Sequence, residues 1–461
     1  MPNLSKYIAH EDFFDIESVP TVDSTVAWPS IMTGVNPGKH GIGAWKTWKD
    51  GKYDLVNSRD IKKETIFDYF SRFGLKSLIV NIPLTYPPKE IEGVCVSGMP
   101  AISIEQNIVY PSNKEADIRK RFPNYIVNID RNKELKRSFE LYMEHLKLMV
   151  RQRTDLFLDL IKKNKWTLAL IVYVAIDQIS HLFWDKIDLL LKNNENNDDV
   201  ISRLKDLILW LDNCLGDIIS ELKLSNTCVI IVSDHGFGYN HGKVAVNYLL
   251  KRGGYTCHRK KSLRTRMNLL YKKRVKHETF LDKRNKMNNS EKRGVILNDS
   301  SRFGGRIEQI DFKKSLVFTL DGCNIYVNKK EFGGVVEKKD VDSLKRQVKQ
   351  YLSKIKYKND YLFDDVFLKE EIYKGNELTR LPDIILKSEK YFFSYSWSSP
   401  IVKKPGNRVG CHKSKGIIGV ISDIIDIKRK TLSVYDLFPS ICNIFQIPIP
   451  EYIDGKSIFG I

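Results

Sequence analysis

Two apolar runs separated by a helical pattern place the strongest constraint on how this chain can fold. Residues 167–176 (TLALIVYVAI) and residues 227–232 (TCVIIV) are almost entirely apolar and rich in β-branched side chains. Such runs are typical of strands that are covered on both faces in a parallel sheet. Between them, residues 200–222 carry apolar side chains at helical spacing. The order strand, helix, strand predicts a βαβ unit.

The same alternation of helix and strand patterns recurs along the rest of the chain. Apolar periodicity predicts further helices over residues 64–73, 134–162 and 341–355. It predicts further strands over residues 75–82, 324–327, 383–386 and 417–421. We therefore expect an α/β fold, a three-layer α/β/α sandwich with a mostly parallel central sheet.

Composition and cysteine use limit the class of protein and its compartment. The 461 residues are 42% hydrophobic and 28% charged, close to globular averages, which excludes wholesale disorder and collagen-like repeats. The longest apolar run, residues 168–176, is shorter than the roughly 18 to 20 residues of a membrane-spanning helix, and the amino end lacks a signal-peptide pattern. Seven cysteines form no CxxC pair, which favours a reducing compartment. We expect a cytoplasmic protein.

The positive charge of the chain is concentrated in one segment. The formal net charge is +19, and residues 251–293 alone hold 16 Lys and Arg against 3 Asp and Glu. This segment predicts a basic, partly disordered insert or cap at residues 251–306, between core segments 1–250 and 307–461. A solvated surface arm is the simpler interpretation, and contact with nucleic acid or an anionic membrane is the alternative.

Polar residues follow both apolar runs, at the strand ends where parallel sheets place their ligands. Asp177 and His181 come after the first run, and in a helix they would share one face. Asp234 and His235 follow the second run, with Gly236 and Gly238 allowing unusual backbone angles. Each pair is suited to a divalent metal. A helix cap for the first pair and a polar turn for the second explain the residues about equally well.

Two further residues complete a possible hydrolytic set. Ser24 precedes a helical pattern, and a hydroxyl at such a position beside a metal can act as a nucleophile, although it can equally be a helix cap. His412 lies just before the strand predicted at residues 417–421, and alone it is more typical of a surface or capping histidine. Together these residues supply the hydroxyl, two aspartates and three histidines of a two-metal esterase.

These residues lie in motifs that resemble the alkaline phosphatase superfamily, and within it the branch of type I phosphodiesterase/nucleotide pyrophosphatase-like proteins. The similarity covers nearly the whole chain. Its motifs are STVAWPSIMTGVNPGKHGI (24–42), VNIPLTYPP (80–88), IDQISHLFW (176–184), SDHGFG (233–238), LDGCNIYVN (320–328), EEIYKG (370–375), GCHKSKGIIG (410–419) and VYDLFPSI (434–441).

The resemblance implies a ligand set and a reaction. It implies that Asp177, His181 and His412 hold one divalent metal, that Asp234 and His235 hold a second, and that Ser24 is the metal-bound nucleophile. In such families both metals are usually zinc, and these ligand types would also accept manganese. The expected activity is hydrolysis of small phosphate esters through a phosphoseryl intermediate, as a phosphodiesterase or a phosphatase.

The chain departs from the family pattern at two places. Family members have an apolar strand ending in Asp-Gly before the nucleophile, and residues 1–23 contain no such strand; Glu11, Asp12, Asp15 and Asp23 do not follow one. We expect this strand to precede Met1 in a longer chain, since a protein without it would bind its second metal weakly. Trp45 stands where nucleotide pyrophosphatases carry a phosphate-binding Asn, which argues against nucleotide substrates.

Other functions on the same fold stay open at this point. A non-catalytic or weakly active scaffold is the alternative from a different class, and a phosphomutase is the alternative among enzymes. A sulfatase is disfavoured, because the DSTVAWPS stretch around Ser24 lacks a CxPxR-type motif.

Overall fold

A computed structural model describes residues 1–49, 52–192, 198–222, 224–259, 307–423, 425–429 and 431–460. Most of the predicted basic insert therefore lies outside the described residues. The α-helices, numbered in chain order, are α1 (Ser24–Thr33), α2 (Pro37–His40), α3 (Ile66–Ser71), α4 (Glu115–Arg121), α5 (Arg131–Leu135), α6 (Phe139–Ile161), α7 (Ala175–Leu191), α8 (Asp199–Glu221), α9 (Val246–Arg252), α10 (Val341–Ser353), α11 (Lys369–Ile372) and α12 (Leu437–Ile444).

Most of the strands are short. They are β1 (Phe14–Glu17), β2 (Lys46–Lys49), β3 (Lys52–Leu55), β4 (Ser77–Val80), β5 (Gly93–Val96), β6 (Val109–Tyr110), β7 (Leu168–Ile171), β8 (Val229–Val232), β9 (Gly236–Tyr239), β10 (Lys243–Ala245), β11 (Val317–Thr319), β12 (Asn324–Val327), β13 (Lys356–Tyr357), β14 (Asp360–Tyr361), β15 (Asp365–Leu368), β16 (Ile384–Lys387), β17 (Phe392–Ser394), β18 (Val402–Lys403), β19 (Gly410–Lys413), β20 (Lys415–Ile421), β21 (Asp426–Ile427), β22 (Leu432–Ser433) and β23 (Phe459–Gly460).

The chain forms two compact units, and the larger one consists of Met1–Lys243, Ser353–Phe392 and Lys403–Ile461. It contains a sheet in the order β6-β5-β4-β7, in which β4 pairs in parallel with both β5 and β7. All four residues of β4 are buried, as expected for a strand covered on both faces. Leu78 packs with Leu156 of α6, whereas Ile79 packs with Phe67 of α3 and Met32 of α1. Helices on both faces of the sheet confirm the α/β fold class.

A second sheet of the larger unit has the order β22-β1-β20-β8 and is mixed. Strand β1 pairs in parallel with β22, but β20 is antiparallel to both β1 and β8. The expected mostly parallel arrangement thus holds for β5, β4 and β7 and not for this sheet. The predicted βαβ unit is also changed, because β7 and β8 are edge strands of two different sheets among the described residues. The strand that pairs with β8 is β20, which lies far along the chain and runs in the opposite direction.

The smaller unit consists of Val244–Leu352 and Phe393–Val402. In it β11 and β12 form an antiparallel pair, with Phe318 opposite Tyr326. Helix α10 buries Val348 and Leu352, and Tyr351 on the same helix donates a hydrogen bond to the carbonyl of Leu249 in α9 at 3.0 Å. The division of the core around an insert at residues 251–306 stays a prediction, since residues 260–306 are not described.

Among the described residues, no helix combines the length and apolar character that a membrane span needs.

His40, at the end of α2, offers a test of the packing around α1. The side chain is fully buried, and its ring accepts a hydrogen bond from the backbone N–H of Ile42 at 3.2 Å and pairs with Ser30 Oγ of α1 at 2.9 Å. Burial lowers the pKa of His40 to about 3. Below pH ~6.5 the unfolded chain therefore binds a proton at His40, whereas the folded chain keeps this imidazole neutral until the pH is much lower.

We expect the free energy of unfolding of the metal-free protein to fall as the pH drops from about 6.5 to 4. This residue contributes up to about 1.4 kcal/mol per pH unit, or about 3 kcal/mol in total. The measurement is urea denaturation across this pH range for wild type and His40→Gln, which cannot titrate there. Parallel pH profiles for the two proteins would contradict the assignment.

Candidate active site

The six side chains singled out in the sequence converge at one place in the larger unit. Ser24 Oγ lies 3.1 Å from His235 Nε2, and His412 Nε2 lies 3.1 Å from His181 Nε2. Asp177 Oδ1 lies 3.2 Å from His412 Nε2 and 3.5 Å from His181 Nε2. Asp234 Oδ2 lies 3.6 Å from His235 Nε2. These atoms come from positions 24 to 412, so the fold brings together residues that are distant in sequence.

Helix α1 presents Ser24 at its amino end. Asp23 is the N-cap of this helix and accepts a hydrogen bond from the backbone N–H of Thr25 at 2.8 Å. Residues 25–33 are all buried, so the helix is fixed on every side. Ser24 therefore stands on a rigid element, at the helix end where unpaired backbone N–H groups favour negative charge.

Helix α7 supplies Asp177 and His181 from consecutive turns, four residues apart. Their spacing puts both side chains on the same face, as the sequence predicted. The helix has a non-helical residue, Phe183, and both candidate ligands lie before this interruption. His181 is 5% exposed, so its ring cannot swing out into water without disturbing the core.

The other three candidates come from β8, β9 and β19. Asp234 and His235 form the turn from β8 into β9, and β9 pairs in antiparallel register with β19, where Phe237 is opposite His412. The Phe237 ring packs against the imidazoles of both His412 and His181, with centroid distances of 5.1 and 4.8 Å. An apolar ring thus supports the histidines from one side.

Gly410 allows β19 to approach α7. A Cβ at this position would lie 2.0 Å from the carbonyl oxygen of Ser180, a distance that no side chain tolerates. The contact brings the carbonyl of Gly410 to 3.4 Å from His181 Nδ1. The glycine is therefore required by the packing that brings His181 and His412 together.

Backbone carbonyls orient the three imidazole rings. The Nδ1 atoms of His181, His235 and His412 lie 3.4, 3.1 and 2.8 Å from the carbonyl oxygens of Gly410, Gly236 and Val22. With a proton on each Nδ1 these contacts are hydrogen bonds, and every neutral ring then has its lone pair on Nε2. The Nε2 atoms of His181, His235 and His412 lie 3.5, 4.0 and 3.2 Å from Asp177 Oδ1, and backbone partners on Nδ1 are typical of histidine metal sites.

The carbonyl that orients His412 belongs to a strained residue. Val22 has φ of 44°, in the left-handed region that a β-branched side chain rarely occupies. Its N–H donates to the carbonyl of Val19 at 2.9 Å, which closes a turn just before the N-cap of α1. In this strained conformation the Val22 carbonyl points toward His412 Nδ1. The strain indicates that a fixed orientation of the His412 ring is important for the site.

The carboxylates at the centre have few donors. The buried atoms Asp177 Oδ1 and Asp234 Oδ2 have no hydrogen-bond donor besides the neighbouring imidazoles. Burial acts to raise the pKa of Asp177, yet the imidazoles of His181, His412 and His235 hold it well below its usual range. Burial is also the main reason why the pKa values of His181 and His235 are lowered. Carboxylate oxygens and imidazole lone pairs therefore face each other and need a cation between them.

In the chain without metal, His412 provides part of that positive charge. Burial acts to lower its pKa, but the hydrogen bond and the charge of Asp177 raise it above the ordinary value of a histidine. A proton on His412 thus compensates Asp177. A divalent cation at the same place would displace this proton, as ligand deprotonation on metal binding requires.

The donor set fits divalent metals on these grounds. Asp177, His235 and His412 each offer one ligand atom within 4.8 Å of the others. Around this set, His181 lies on the side of Asp177 and His412, and Asp234 and Ser24 lie on the side of His235. Asp177 Oδ1 is 4.0 Å from His235 Nε2 and so lies between the two groups. Mixed imidazole and carboxylate ligands suit zinc, and other first-row divalent ions bind such sets too.

Sequence reasoning missed one charged residue at this site. Arg408 Nη2 lies 3.2 Å from His181 Nε2. Its position four residues before His412 was the available signal, but an arginine in a polar segment is too common to stand out. Trp45, the other departure noted in the sequence, accepts a backbone hydrogen bond from Val56 at 3.1 Å, and its effect on substrate choice stays a prediction.

Comparison with known proteins places the fold. The model of a family described as type I phosphodiesterase / nucleotide pyrophosphatase matches residues 1–417. Among solved structures, phosphonoacetate hydrolase from Sinorhizobium meliloti 1021 is similar at a TM-score of 0.55 and 13% identity, over 95% of this chain and 88% of that chain. Alkaline phosphatase PafA is similar at a TM-score of 0.50 and 14% identity, over 99% and 94%.

A third similar structure is human ectonucleotide pyrophosphatase / phosphodiesterase 5, with a TM-score of 0.47 and 14% identity over 96% of this chain and 88% of that chain. No curated protein matches this chain significantly in sequence. The family match over residues 1–417 supports a hydrolase of phosphoric esters. The chain belongs to the type I phosphodiesterase / nucleotide pyrophosphatase family.

Proposed function

We propose that this protein is a two-metal hydrolase of small phosphate esters in which Ser24 is the nucleophile. The observation that supports the proposal is that three imidazole Nε2 atoms lie within 4.0 Å of Asp177 Oδ1, with Asp234 and Ser24 Oγ beside His235. Asp177, His181 and His412 would hold one metal, and Asp234, His235 and Ser24 the other. Zinc is the proposed ion, with manganese as an alternative.

The reaction follows from the position of Ser24. Its Oγ attacks the phosphorus of the ester, the bond from phosphorus to the leaving oxygen breaks, and that oxygen leaves as an alcohol after gaining a proton. Water then attacks the phosphoseryl group, which releases phosphate or a phosphate monoester and restores the serine. Two divalent cations, when bound, supply positive charge that lowers the pKa of the hydroxyl and stabilises the entering and leaving oxygens.

The surrounding residues keep this geometry fixed. The backbone carbonyls of Gly236, Gly410 and Val22 hold the imidazole rings, and the N-cap residue Asp23 fixes the start of α1. The hydroxyl of Ser18 donates to the carbonyl of Asp234 at 2.5 Å and so fixes the backbone of a proposed ligand. The site is thus built on restrained side chains, as positional precision in catalysis requires. A cytoplasmic location remains part of the proposal.

Removal of metal tests the proposal directly. We expect a chelator to abolish turnover of p-nitrophenyl phosphate or bis-p-nitrophenyl phosphate, and zinc or manganese to restore it. Elemental analysis should find about two metals per chain in the active protein. Turnover that persists in protein with no metal would contradict the proposal. Two bound metals with no turnover of either ester would favour the non-catalytic scaffold instead.

A further inference from the structure

Arg408 presents a guanidinium at the candidate active site, and among the described residues no carboxylate forms an ion pair with it. Its Nη2 contacts His181 Nε2 at 3.2 Å, and its guanidinium carbon lies 4.0 Å from the centre of the Phe392 ring. Its Nε is buried without a hydrogen-bond partner. A buried guanidinium nitrogen without an acceptor costs free energy, and a cationic group of this kind beside an active site is a candidate for ligand binding.

The contact with His181 is incompatible with a bound metal. An imidazole Nε2 has one lone pair, and it cannot both bind a cation and accept a hydrogen bond from Arg408. If His181 is a ligand, the N–H of Arg408 Nη2 therefore needs another acceptor within about 3 Å of its present position. The available acceptor in a phosphate-ester hydrolase is an oxygen of the phosphoryl group.

Burial and the neighbouring charges both act on Arg408. Burial first, and then the charge of Arg131, lower the pKa of Arg408 to about 10, whereas the charges of Asp177 and Asp23 act to raise it. In the part of the chain that the structure describes, no carboxylate forms an ion pair with this guanidinium; Asp177 is a proposed metal ligand, and Asp23 caps α1. Among the described residues, the Arg408 guanidinium therefore lies beside His181 without an ion-pair partner of its own.

We infer that Arg408 binds the phosphoryl oxygens of a phosphate monoester dianion, which makes monoesters the preferred substrate class. This inference rests on the proposed function and specifies its substrate. A monoester carries about two negative charges near neutral pH, and a diester carries one. The planar fork of a guanidinium can bind two phosphoryl oxygens at once. A diester offers one fewer charged oxygen to Arg408.

Ligand binding tests the inference without turnover. The probes are inorganic phosphate, mostly a dianion at pH 8, and dimethyl phosphate, a monoanion, titrated by calorimetry into zinc-loaded Ser24→Ala. We expect phosphate to bind at least about 10-fold more tightly than dimethyl phosphate. Adding Arg408→Gln should weaken phosphate about 100-fold and dimethyl phosphate less than about 3-fold. Equal losses for both probes, or equal affinities before substitution, would overturn the inference.

Steady-state kinetics of variants that retain Ser24 provide a second test of the inference. In Arg408→Gln, kcat/KM for p-nitrophenyl phosphate should fall about 100-fold and that for bis-p-nitrophenyl phosphate less than about 3-fold. Lys404→Gln removes an exposed cation from the same loop and should change neither value. Arg408→Lys keeps the charge and should lose less, so the test survives if Arg408→Gln folds poorly. If wild type hydrolyses neither ester, the proposed function fails while the binding arm still decides the role of Arg408.

Discussion

Replacing Ser24 with alanine is expected to reduce the hydrolysis of phosphate esters by at least about 10³-fold. The Oγ atom is the only atom lost, and it lies 3.1 Å from His235 Nε2 at the end of α1. The helix keeps its N-cap, because Asp23 and not Ser24 accepts the hydrogen bond from Thr25. Thermal unfolding should therefore be nearly unchanged, and steady-state kinetics on purified protein measures the loss.

The neighbouring residue gives a matched control for this variant. Thr25 Oγ1 is buried and has no hydrogen-bond partner, so Thr25→Val removes an adjacent hydroxyl at nearly constant shape. We expect Thr25→Val to retain activity within about 3-fold and to be as stable as wild type or slightly more so. Retained turnover in purified Ser24→Ala would refute the nucleophile, and equal losses in both variants would point to damage of the helix start.

Replacing Asp177 with asparagine should remove metal and activity together. The Oδ1 atom of this residue lies within 4.0 Å of three Nε2 atoms, so it supplies the negative charge to a set of ligand atoms that a divalent cation would bind together. Asparagine keeps the size and loses the charge. We expect Asp177→Asn to lose at least one of the two metals and at least about 10²-fold in kcat, measured by elemental analysis and by kinetics with added zinc.

Asp188 on the same helix is the control for Asp177. It pairs with Lys192 at 2.6 Å, near the end of α7. Exposed pairs of this kind contribute little, so Asp188→Asn should leave metal content and turnover unchanged. Full metal occupancy in Asp177→Asn would contradict its role as a ligand, whatever the change in turnover.

The fold was predictable where burial decides it. Strand β12 occupies residues 324–327 as predicted, and α8 begins and ends one residue from the predicted bounds of 200 and 222. Sheet partners were not predictable in the same way. The apolar run at residues 227–232 looks the same whether its neighbour runs parallel or antiparallel, because burial on both faces demands apolar side chains in either case. The pairing of β8 with β20 depends on tertiary contacts that periodicity does not record.

The candidate metal ligands could be predicted from the sequence, but the groups that orient them could not. Asp177, Asp234 and His235 follow apolar strands, and their residue types alone suggest metal chemistry. The groups that orient them are mostly backbone carbonyls, such as that of Val22, and these are the same in every residue type. Arg408 was missed for a related reason. Its significance is that its buried Nε has no hydrogen-bond acceptor, and this is visible only in the three-dimensional structure.

The packing of β19 against α7 also determines when the catalytic machinery can form. Gly410 and His412 are brought to His181 across more than 200 intervening residues, and β20, just beyond, pairs with β1 near the start of the chain. Contacts of such high sequence separation form late, because loop closure must be completed first. During synthesis on the ribosome, the growing polypeptide therefore has no assembled centre until residues 410–412 have emerged and can reach His181.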